Sequence, residues 1–152
     1  KDIRVIVRNL AGKYIGEKGV YIQLHEFKKQ IENAAAVQIN LSIDCLKEPM
    51  DNDFAVNLYR IIQEMINNSI KHSGCTHIEI NCTNDNQLLS LVYKENGKGF
   101  SEEAVNKGLG LNNITTRVKL YKGNCELITA IGAGTEYRIN FDRANMLPKN
   151  IS

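Results

Sequence analysis

Four cysteines stand apart in this 152-residue sequence, at positions 45, 75, 82 and 125, and no two of them form a C-x-x-C pair. His25, His72 and His77 supply no ligand spacing beside them, so the sequence offers neither a zinc-finger pattern nor a dithiol motif. Four free thiols in a reducing compartment is the expectation. The basic residues form no dense run and carry no interleaved aromatics, and a net charge of +2 with a pI near 8.3 is too mild to argue for nucleic acid. No apolar run approaches the roughly 20 residues of a membrane-spanning helix, and these residues show no secretory signal pattern. The first residue is Lys1 rather than methionine, which raises the expectation of an excerpt from a longer chain or a processed one.

What remains is a globular composition. At 43% hydrophobic and 24% charged residues, the chain can bury a substantial core as one domain. The opening "KDIRVIVRNL" has helical character and reads as the end of a helix that belongs to an upstream region. Val20, Leu24, Phe27 and Ile31 recur at three- and four-residue steps, which predicts a helix from Val20 to about Asn33 covering one side of a sheet. "VQINLSID" alternates strictly and predicts a half-buried strand. "HIEINCT" and "QLLSLVYKE", separated by "NDN", predict a hairpin, and "CELITAI" with "TEYRINF" across "GAG" predicts a second. Between the hairpins, "NNITTRVKLY" reads as a short helix closed by Gly123, and the tail from Arg143 reads as frayed. This order predicts an α+β two-layer sandwich: a mixed, mostly antiparallel sheet with about three helices on one face.

The segment "EMINNSIKHSG" sits in the most strongly patterned helix. Phe54, Leu58, Ile61, Ile62, Met65, Ile66 and Ile70 mark an apolar stripe over about 54–71, with Asn52 or Asp53 as the expected cap and Gly74 in the left-handed position beyond the end. At about 100° per residue, Asn57, Arg60, Glu64, Asn68 and Lys71 form a second, polar stripe facing a rim. A solvated flank held by a Glu64–Asn68 hydrogen bond is the simplest account of that row.

The glycines argue for more. "ENGKGF" follows a strand, "GLGL" precedes a helix, and "GAGT" lies in the last hairpin. Glycine lets backbone amides approach a ligand, and a helix start offers free N–H groups to phosphate. Neither G-x-x-x-x-G-K-[ST] nor G-x-G-x-x-G is completed, so the two common nucleotide-binding patterns are absent.

In order, E-x-x-x-N on a helix, "ENGKGF", "GLGL" and "GAGT" resemble the ATP-binding catalytic domain of sensor histidine kinases, the Bergerat fold shared with DNA gyrase B, Hsp90 and MutL. "LYRIIQEMINNSIKHSG" is most similar to the form found in kinases paired with NarL-type response regulators, and the short stretch between Phe100 and Gly108 suits their short lid. The resemblance spans roughly Gly19 to Phe141. It implies residues 1–18 as the end of a dimerisation helix and a linker, 19–142 as the catalytic domain and 143–152 as a tail.

The resemblance also implies roles. Asn68 would offer its amide oxygen to Mg²⁺, and Glu64 would be the general base. Lys71 and His72 would meet the nucleotide, Gly97 and Gly99 would let the chain pass close to adenine, and Gly108, Leu109, Gly110 and Leu111 would form the lid end and phosphate cradle. Thr135 would hydrogen-bond near the base. Where relatives carry aspartate to accept from the adenine amino group, this chain has Glu95, one methylene longer. ATP and Mg²⁺ are the implied cofactors. The implied partners are the protein's own dimerisation and phosphoacceptor domain and a response regulator, with no nucleic acid. The whole protein is expected to be a homodimer whose catalytic domain is cytoplasmic, and anchoring in the inner membrane is left open. A degenerate nucleotide-binding module, an anti-sigma-factor serine kinase and a gyrase- or Hsp90-like ATPase are the competing readings.

Overall fold

Strict alternation in the sequence becomes a sheet with one dry face. The computed structural model of the chain describes residues 15–101, 103–104 and 111–147. Among them are α1 (Ile15–Ala34), β1 (Gln38–Ser42), α2 (Asn52–Asn68), β2 (His77–Asn84), β3 (Leu88–Glu95), α3 (Leu111–Leu120), β4 (Asn124–Thr129) and β5 (Thr135–Asp142). The "KDIRVIVRNL" segment and Gly108, Leu109 and Gly110 lie outside the described residues.

The strand order is β1-β2-β3-β5-β4. β1 runs parallel to β2, and every other pair is antiparallel. A parallel pair cannot close through a tight turn and needs a crossover; α2 supplies it. Ile39, Ile78, Ile80, Leu89, Leu91, Tyr93, Tyr137, Ile139 and Phe141 point to the buried side. There they meet Val20, Leu24, Phe27 and Ile31 of α1, the apolar stripe of α2, and Ile114 and Val118 of α3. Phe54 anchors the far end with edge-on contacts to Tyr121 and Phe141, each with ring centroids 5.1 Å apart. The opposite face is polar, with Glu136 pairing to Lys94 at 3.2 Å and to Arg138 at 2.9 Å. The architecture is the expected two-layer α+β sandwich.

Several boundaries differ from expectation for identifiable reasons. α2 starts at Asn52, so its cap is Asp51, whose carboxylate accepts from Phe54 N at 3.1 Å. The α-helix ends at Asn68, with Ser69 N still donating to the Met65 and Ile66 carbonyls, and a π-helical turn continues through Ser69–Ser73 before Gly74 turns left-handed at φ 64°. α1 is broken at Gly19, where φ is 77° and ψ 154°. Lys122, at φ 58°, ends the turn after α3. Gly123 instead lets the chain press on Phe141 and the Asn140 carbonyl. The tail is docked as far as Leu147: Arg143–Asn145 forms a helical turn, and Met146, 1% exposed, accepts a hydrogen bond from Asp51 N at 2.8 Å. Among the described residues no helix is long and apolar enough to cross a membrane, and Cys45, Cys75, Cys82 and Cys125 are free thiols.

Candidate active site

Four chain segments meet at one end of the sheet. α2 brings Glu64, half-buried, and Asn68, 6% exposed, and the π-helical turn carries Lys71 and His72 to the surface. The end of β3 brings Glu95, 7% exposed, and the start of β5 brings Thr135 directly opposite it in the strand register. The simple account of the polar row fails, because Asn68 Nδ2 is buried with no hydrogen-bond partner. Asn57, further up the same stripe, has a structural job: its Nδ2 donates to the Arg117 carbonyl at 2.8 Å and ties α2 to α3.

The glycine turns interlock with the end of α2. A Cβ on Gly97 would stand 2.5 Å from both Cβ and O of Ser73 and 2.7 Å from Glu95 Oε2, so only glycine lets these backbones approach. Lys98 N donates to the Ser73 carbonyl at 2.9 Å, and Gly132 N to the Lys98 carbonyl at 2.7 Å. Gly99 is left-handed at φ 68°, with the Ala130 carbonyl where a Cβ would lie. Phe100 N donates to Thr129 Oγ1 at 2.9 Å, Thr129 Oγ1 donates to the Gly134 carbonyl at 3.0 Å, and Thr129 and Thr135 share a 3.2 Å hydroxyl contact.

Tyr137, on β5, is 3% exposed and lies among groups from the neighbouring elements. Burial raises its phenol above the ordinary value, Cys125, Glu95 and Glu64 add to the rise, and the Asn68 side chain opposes it. Groups from α2, β3 and β4 therefore act on one buried hydroxyl of β5. Among the described residues, Asn68 Nδ2, Tyr137 OH and both carboxylate oxygens of Glu95 make no hydrogen bond of good geometry, although the Asn68 side chain faces the Tyr137 hydroxyl. A buried polar atom left unpaired costs about 1–3 kcal/mol, so this many in one place mark a spot where a ligand or water completes the bonding. Beside them opens a hollow of about 430 Å³ lined by Lys71, His72, Lys98, Gly99, Phe100, Ser101, Ala104 and Ile131. Its size suits a small molecule, and its three basic side chains suit an anionic one.

Of the residues singled out in the sequence, Glu64, Asn68, Glu95 and Thr135 thus fall in the buried cluster, and Lys71, His72 and Gly99 line the hollow. Gly97 joins the two regions, and Leu111 is buried at the start of α3. Glu64, Asn68, Glu95 and Thr135 are not on the lining of the hollow. Sequence reasoning missed Tyr93, Tyr137 and Ser69; their one signal was a hydroxyl at an inward position of an otherwise apolar strand or helix face. Among the described residues no three His, Cys, Asp or Glu side chains form a metal-holding group.

Residues 54–145 match the model of the family described as histidine kinase-, DNA gyrase B-, and HSP90-like ATPase. The chain belongs to this family. Within it, the chain is an ATP-binding catalytic domain of the sensor histidine kinase type. It is 28% identical over 142 residues to the sensor histidine kinase ComP of Bacillus subtilis (strain 168), covering 91% of this chain and 18% of ComP. To the signal transduction histidine-protein kinase/phosphatase DegS of the same organism it is 32% identical over 106 residues, covering 64% of this chain and 28% of DegS. The DegS of Brevibacillus brevis is 24% identical over 135 residues, 88% of this chain and 35% of that protein. The chain thus spans about a third or less of the length of these relatives. The histidine kinase domain of the Erythrobacter litoralis EL346 blue-light activated histidine kinase shares the fold, with a TM-score of 0.69 at 17% identity, covering 82% of this chain and 61% of that one.

Proposed function

We propose that the chain binds Mg-ATP across α2 and the ends of β3 and β5, and transfers the γ-phosphoryl group to a histidine on a dimerisation domain that precedes it. In this reading residues 1–18 are the end of that domain's helix and a linker. A response-regulator aspartate is the next acceptor, and the whole protein works as a homodimer. The observation that carries the reading is the convergence of Glu64, Asn68 and Glu95 on a buried spot with unpartnered polar atoms, next to a hollow ringed by Lys71, His72 and Lys98.

Glu95 and Thr135 stand where they can read the base. The Glu95 carboxylate accepts from the adenine amino group, and Thr135 supports it from the facing strand. Gly97 and Gly99 allow the close backbone passage, and Gly108, Leu109, Gly110 and Leu111 would supply the lid end and phosphate cradle that the family resemblance implies. Lys71 and His72 attract the triphosphate. Asn68 would hold Mg²⁺ through its amide oxygen, since magnesium keeps most of its shell as water and phosphate oxygen and asks little of the protein. When bound, that ion neutralises charge building on the transferred group. Glu64, one turn before Asn68, orients the attacking imidazole nitrogen and takes up its proton as the new N–P bond forms and the bond from phosphorus to the ADP oxygen breaks.

Glu64→Gln should leave the Mg-ATP dissociation constant within about twofold while cutting histidine phosphorylation in the full-length protein by about 100-fold or more. Asn68→Ala should weaken binding only when magnesium is present. Calorimetry with and without magnesium, together with autophosphorylation assays, checks both, and equal loss of binding in the two variants would overturn the division of roles.

A further inference from the structure

The turn that presents Lys71 and His72 is held open from below. Helices rarely widen to π-helical spacing, because the geometry is poorer, and single wide turns cluster at functional sites. Here Ser69–Ser73 takes that form directly after Asn68. Side chains beyond Asn68 therefore fall at a different azimuth from the one an unbroken α-helix would give them.

Both ends of the wide turn are pinned by hydroxyls. At the start, Tyr93 of β3, fully buried, donates to the Met65 carbonyl at 3.1 Å, beside the Ser69 N–H that the same carbonyl also receives, and shares a 2.6 Å hydrogen bond with Ser69 Oγ. At the other end Ser73 Oγ donates to the Ser69 carbonyl at 2.6 Å and accepts from Cys75 N at 3.1 Å. The Ser73 carbonyl in turn receives Lys98 N. Between these pins lie Lys71 and His72, both exposed and both lining the hollow. Burial keeps the Tyr93 phenol protonated far above its ordinary range, so it stays a donor to Met65 O.

Resting on the nucleotide reading above, we infer that the Tyr93 hydroxyl is a positioning residue for phosphate binding: through Met65 and Ser69 it sets the wide turn that aims Lys71 and His72 into the hollow. It touches no nucleotide itself. The base-reading pair, Glu95 and Thr135, depends on strand register instead, so the hydroxyl governs one end of the ligand and spares the other.

The test is Tyr93→Phe, which deletes one oxygen and keeps the ring that packs edge-on against Tyr137 at 6.0 Å. A lost buried hydrogen bond of this kind is worth about 1–3 kcal/mol, or about 5- to 150-fold. Mg-ATP should bind about tenfold more weakly by calorimetry, adenosine within about twofold of wild type, and amides of residues 69–73 should exchange faster with solvent. Ser69→Ala should reproduce part of the effect and Ser69→Thr, which keeps a hydroxyl, should restore it. Equal weakening of ATP and adenosine would overturn the inference, as would unchanged ATP affinity with unchanged exchange. A wild-type chain that binds neither ligand fails the nucleotide reading, whereas a wild type that binds both, with Tyr93→Phe matching it in both, fails only this inference.

Discussion

Glu95 is buried at the mouth of the site with no hydrogen-bond partner on either oxygen among the described residues, and its Oε2 lies 2.7 Å from where a Cβ on Gly97 would stand. An aspartate at this position would retract the acceptor by one methylene and leave room beside Gly97. Glu95→Asp should tighten ATP by about 5- to 150-fold, the range of one well-made buried hydrogen bond; an unchanged calorimetric dissociation constant would refute that account. The thiols give a second residue-scale outcome. The Cys82 hydrogen bond holds the Cys45 thiol below its ordinary value, while the same pairing and burial push Cys82 up, and burial pushes Cys75 and Cys125 up. A lower value means more thiolate at a given pH, so iodoacetamide at about pH 8 should modify Cys45 first, as peptide mapping of a time course will show. Glu64 and Asn68 were legible because a carboxylate and a carboxamide four residues apart break a helical pattern visibly. Tyr93 and Tyr137 were not, because an aromatic at an inward strand position reads as core whether or not its oxygen has work to do.

At the scale of elements, the turn "ENGKGF" is the least forgiving. Gly99→Ala would meet a left-handed backbone, a strain of about 1–3 kcal/mol by itself, and would also run into the Ala130 carbonyl. At about 2–4 °C per kcal/mol for a chain of this size, the backbone strain alone should lower the melting temperature by about 2–12 °C, and the clash should lower it further. Gly132→Ala has similar backbone strain at φ 81° but open space around the new methyl, so it should cost less in the same melting experiment; the reverse order would contradict the steric argument. Strands and the bodies of the helices followed from periodicity, since period two and period 3.6 are imprinted on the apolar residues. Element ends did not. The cap fell on Asp51, one position before the expected pair, because any of three successive polar side chains could have served. The wide turn after Asn68 had no local signature, since the Tyr93 hydroxyl that holds it lies 28 residues from Met65 in sequence.

For the whole molecule, a ligand that binds only the folded chain adds stability by mass action. At 100 times its dissociation constant the gain is about 2.7 kcal/mol, which corresponds to a rise of about 5–11 °C in melting temperature. Mg-ATP should produce that rise in wild type and a smaller one in Asn68→Ala; a melting curve indifferent to Mg-ATP at millimolar concentration would count against the site. The layer arrangement was readable from element order alone, because helices that follow half-buried strands have one dry face to cover. Strand order was not, since β5 inserts between β3 and β4, a pairing set by contacts far apart in the chain.

The two backbone bonds that run from Gly132 through Lys98 to Ser73 have an evolutionary corollary. They splice the tip of the last hairpin to the end of the helix, so an added or deleted residue at 130–134 would drag the basic rim with it. The Asp85–Gln87 turn at the other end of the sheet is closed by its own aspartate, with Asp85 Oδ1 accepting from Gln87 N and Leu88 N, and among the described residues it is tied only to the tail, where Arg143 donates to the Gln87 and Asp85 carbonyls, away from the basic rim. Length variation between descendants of this domain should therefore accumulate there and be purged from the mouth.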